Sequence, residues 1–113
     1  MPDFNFTQVI SDAIALTKNE LGKTFKKVKP FAEHEFQQFS ENALFLANLK
    51  LQGTIDDAEL QSRIQLQKLA LANVLLAIKG VGIVSAQNVV NGVLGIVGSL
   101  LVLVLMLFNT FSV

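Results

Sequence analysis

The sequence predicts an all-α protein: a head of two helices forming a hairpin or small bundle, then a long third helix continuing into a C-terminal transmembrane span. Three observations predict it. Apolar residues recur in steps of three and four through the first 79 residues. No proline follows Pro30. All eighteen charged side chains, nine acidic and nine basic, precede Gly80, so residues 80–113 carry none.

The first element is expected over about Phe4 to Val28. Phe6, Val9, Ile10, Ile14, Leu21, Phe25 and Val28 form one apolar stripe, with small or polar residues at Ala13, Thr17 and Thr24. Gly22 weakens this helix by roughly 1 kcal/mol without forcing a break. Lys23, Lys26, Lys27 and Lys29 crowd its expected last turn, where cations suit the negative end of the helix dipole. A charge cap is therefore preferred to a lipid-headgroup or partner patch.

Pro30 is expected to start the second helix, because proline suits a first helical position and pushes Lys29 out of helical conformation. Phe36, Phe39, Ala43, Leu46 and Leu49 carry its stripe. Gly53 should cap its C-terminus. Thr54 then begins the third helix, with Asp56, Asp57 and Glu59 in its first turn. So short a connection implies an αα-hairpin. Leu60, Ile64, Leu71, Val74 and Ile78 recur along the third segment. Near Leu69 the pattern becomes apolar on every side, which demands enclosure by protein or lipid.

Two regions follow from this: a charged amphipathic part, residues 1–79, and an uncharged membrane-spanning part, residues 80–113. The window Val89 to Phe108 has the length of about 20 residues that a bilayer core requires. Its apolar positions Val93, Leu94, Ile96, Val97, Leu100, Leu101, Val102, Leu103, Val104, Leu105, Leu107 and Phe108 favour insertion by roughly 4–7 kcal/mol. Helices one and two, about 38 Å each, look too short to wrap about 50 Å of apolar helix in a monomer. A soluble version would need an oligomer. Within lipid, a single crossing is favoured over a hairpin turning at Ser85 to Asn88, because the hairpin buries Lys79 at a cost of roughly 2.5–3.5 kcal/mol. In the single crossing Lys79 snorkels to the interface as an anchor.

Gly92, Gly95, Gly98 and Ser99 are small enough for close helix–helix approach in lipid, and Asn88 and Asn91 suit hydrogen bonds between helices. Gly95→Leu is expected to weaken self-association while leaving helicity intact, as crosslinking would read. Asp3 and Asp12 stand where a signal peptide needs a basic start and an apolar run, so the N-terminal region is expected on the side of synthesis, the cytoplasm. Zero net charge argues against nucleic acid as a partner. There is no cysteine. The single histidine, His34, lacks metal-ligand spacing, and no phosphate loop or catalytic set is present. No cofactor, metal or small-molecule substrate is expected. The partners implied are the bilayer and other membrane helices, copies of this chain included. The role implied is that of a non-enzymatic, C-terminally anchored structural protein in a membrane complex or a virion membrane. Alternatives are a holin-like or helical pore-forming subunit and a soluble oligomeric bundle.

Overall fold

A computed structural model describes the backbone of residues 6–111 and the side chains of residues 6–99. Among these residues the secondary structure is helical, without strands: α1 Thr7–Leu21, α2 Phe25–Leu51, α3 Asp57–Leu76 and α4 Ile83–Phe111. A 3-10 turn, Gly22–Thr24, joins the first two. Each helix folds back on the one before it. Neighbouring helices pack around the circle from α1 to α4, and α2 also meets α4 through the middle, whereas α1 and α3 do not touch.

The core follows from the apolar stripes. Ala13 of α1, Phe25, Val28, Phe36, Phe39 and Ala43 of α2, Leu71 and Leu75 of α3, and Val89, Val93 and Val97 of α4 form one buried cluster. Two hydroxyls are buried with their donors satisfied, because each bonds back along its own helix. Thr17 Oγ1 donates to the Ala13 carbonyl (2.7 Å) and Ser40 Oγ to that of Phe36 (2.8 Å).

The expected α2–α3 hairpin stands, with its signals shifted slightly. Gly53 N–H bonds to the Lys50 carbonyl and Thr54 N–H to that of Leu49, the paired bonds of a Schellman ending. Asp56, rather than Thr54, is the N-cap of α3: its carboxylate accepts the Glu59 N–H at 2.8 Å. Lys50 and Asp57 close the hairpin with an ion pair of 2.7 Å.

Four expectations are corrected. The first helix does not run to Val28. Gly22 takes φ +55, a conformation open to glycine, and α1 ends there. Pro30 does not start a helix but lies inside α2, with Lys29 helical before it. Its missing hydrogen bond costs about 3 kcal/mol. Burial of Phe25, Val28 and Phe36 on the same helix, at about 1.5–3 kcal/mol each, outweighs that. The lysines do not cap α1: only Lys18 lies in its last turn, while Lys23 is on the 3-10 turn and Lys26, Lys27 and Lys29 open α2.

The largest correction concerns the third helix. It is not continuous. It ends at Leu76, and a turn through Gly80, at φ +101, sends the chain back along α3 as α4. The reason is burial, since folding back places Ala86, Val89, Val90, Val93 and Val97 in the core of a single chain. A monomer does bury one face of this half of the uncharged segment. Among the described residues no helix is long and apolar enough to cross a membrane.

Candidate functional site

With no catalytic set in the sequence, the candidate site is α4 itself and the surfaces it leaves open. Its inner face is spoken for. Val89, Val93 and Val97 are fully buried, and Leu94 and Ile96 pack partly buried against the same core. The small residues divide into two groups. A Cβ on Gly92 would run into Leu16 of α1, reaching its Cδ2 at 2.8 Å and its Cγ at 3.1 Å. Gly92 therefore serves a close α1–α4 approach within the chain. Gly95 and Gly98 have open space where a Cβ would go. Ser99 Oγ donates to the Gly95 carbonyl one turn back, at 3.0 Å.

The two asparagines also part company. Asn88 Nδ2 donates to Glu20 Oε1 of α1 at 2.8 Å, fastening the start of α4 to the end of α1. Asn91 is exposed and lines a groove of about 470 Å³ between α3 and α4, together with Leu69, Leu76, Ile83 and Val90. Gln87, Asn91, Gly95 and Ser99 all lie on the exposed side of α4, which carries no charge. Nothing in the spacing of the sequence distinguished Gly92 from Gly95, or paired Asn88 with a residue 68 positions away.

Lys79 lies on the α3–α4 turn, exposed, with its carbonyl accepting a hydrogen bond from Lys27 Nζ at 3.1 Å. The far end of α4 is 29 residues beyond that turn, about 43 Å along the helix. Leu100, Leu101, Val102, Leu103, Val104, Leu105, Leu107 and Phe108 lie on α4, but their side chains are outside the described residues.

His34 is exposed on α2. Among the described residues, no group of three or more histidine, aspartate or glutamate side chains stands close enough to hold a metal ion. The arrangement offers packing surfaces rather than reacting groups. Comparison of the chain with protein families, with curated proteins and with solved structures finds no match.

Proposed function

We propose that this chain is a non-enzymatic helical bundle attached to a membrane by the C-terminal end of α4. One observation carries the reading: α4 has 29 residues against 20 in α3, the helix it folds back along. The nine-residue excess is about 13 Å of helix. The sequence at that end, LVLMLF over 103–108, has no charge with which to meet water.

The inner half of α4 sets a limit on how the attachment works. Residues 100–111 extend about 18 Å, enough to enter one leaflet of a core about 30 Å thick. A complete crossing by Val89 to Phe108 would require Val89, Val90, Val93 and Val97 to leave the core in which they are buried. Attachment by the closed bundle is thus the economical form, and opening is the costly one.

Flotation of the full chain with phosphatidylcholine liposomes tests this. The native chain floats with the lipid, and Leu103→Glu with Leu107→Glu stays at the bottom with unchanged helicity. Equal flotation of both would overturn the reading.

A second reading has its own support. Leu66, Leu69, Ile83 and Val84 are exposed on α3 and α4, a surface that a second copy would cover in a soluble oligomer. Sedimentation in plain buffer, without lipid or detergent, separates the two: a discrete soluble oligomer favours this one. Pore formation would use the uncharged outer side of α4, and rapid dye release from liposomes would identify it.

A further inference from the structure

The turn end of the bundle gathers basic side chains that the sequence holds far apart. Lys23, Lys26, Lys27 and Lys29 come from the α1–α2 corner and Lys79 from the α3–α4 turn, and all five are exposed. The two segments are in contact. Lys27 Nζ donates to the Lys79 carbonyl at 3.1 Å. A Cβ on Gly80 would lie 3.4 Å from Thr24 Cγ2 and 3.7 Å from Lys27 Nζ.

None of the five is in an ion pair among the described residues. The pairs present there, Lys50–Asp57 and Arg63–Glu59, belong to the α2–α3 hairpin at the other end. Glu20, the acid nearest to the cluster in sequence, is engaged by Asn88. Nor do the lysines serve their own helix: α2 has no acid in its first turn, where the helix dipole favours one, and holds Lys26 and Lys27 instead. This is a concentration of positive charge without an ion pair of its own among the described residues, with Glu20 and Glu33 as the flanking acids. Beside it, in the first turn of α4, Ile83 and Val84 stand 65% and 69% exposed.

We propose that this pole is a docking surface for an anionic lipid bilayer, distinct from the C-terminal end of α4. Five exposed lysines at one end of the bundle fall within the range of basic clusters that recognise phosphatidylserine or phosphoinositide surfaces. Two adjacent aliphatic side chains then enter the interfacial region, as apolar residues do on surface-bound helices. A polyanion such as a duplex would use the lysines but leave Ile83 and Val84 in water, which is why lipid is the better occupant. Because the two ends of α4 are about 43 Å apart, a bundle anchored by one end presents the other to a second surface. The lysine pole does not depend on the α4 end being in lipid, so each can fail alone.

The test uses the full chain and two vesicle populations. Capture by pure phosphatidylcholine vesicles reads the α4 end. Capture by vesicles containing phosphatidylserine, and cross-linking of these to protein-loaded phosphatidylcholine vesicles seen by light scattering, reads the lysine pole. Phosphatidylserine capture is read on the full chain carrying Leu103→Glu and Leu107→Glu, which disables the α4 end, and it should be lost at high salt. Each of Lys23→Gln, Lys26→Gln, Lys29→Gln and Lys79→Gln should lower it about fivefold at low salt, with helicity unchanged. Val84→Gln should weaken it without altering the salt dependence. Phosphatidylserine capture that survives high salt and all four substitutions would overturn the proposal. So would competition by a short nucleic-acid duplex combined with indifference to Val84→Gln.

Discussion

Gly92 and Gly95 are three residues apart on α4 and do different work. The space at Gly92 is filled by Leu16, while Gly95 faces open space. Gly92→Leu should therefore overpack the α1–α4 contact and cost about 1–3 kcal/mol in urea unfolding. Gly95→Leu should leave monomer stability unchanged or raise it by up to about 1 kcal/mol, since leucine is the better helix former. A comparable loss at both positions would mean that α4 packs with a different side against α1. The contrast also separates stability from association, because an effect of Gly95→Leu on assembly could not then be ascribed to a damaged fold.

At the scale of elements, the junctions hold the information. Asp56→Ala removes the carboxylate that accepts the Glu59 N–H and should lower stability by about 1 kcal/mol. Gly80→Ala forces a side chain into φ +101 and should cost at least about 1 kcal/mol. Chemical denaturation reads both, and an unaffected Gly80→Ala would argue that the α3–α4 turn is not required. Helical character and the α2–α3 hairpin were legible because the three-four spacing and the Gly53 signal are local. The apolar stripe, however, continues past Gly22, where α1 ends, and the N-cap of α3 falls on Asp56 rather than Thr54. The break at Gly80 was not legible. Its neighbours continue an apolar run without proline, and only burial of Val89, Val93 and Val97 against distant helices makes turning back favourable. Pro30 misled for the same reason: local propensity lost to the burial of Phe36. The α4 packing was only half legible, since a glycine that serves a close approach and one that serves none look alike in sequence.

On the scale of the whole molecule, the separation of charge takes a form that composition does not show. The uncharged segment supplies a core helix and, at its C-terminal end, a run of sequence without charge, while five of the nine basic side chains lie toward the opposite pole of a body 50 Å long. The bundle buries Val89, Val93 and Val97 of α4, and the proposed attachment assigns the uncharged leucine-rich sequence beyond them to lipid. The most direct measurement is carbonate extraction of the full chain after reconstitution into phosphatidylcholine vesicles, set beside its behaviour in lipid-free buffer. The account predicts that the protein stays with the vesicles at alkaline pH and aggregates when lipid and detergent are removed. A chain that is extracted by carbonate and remains monodisperse and monomeric in plain buffer would contradict it.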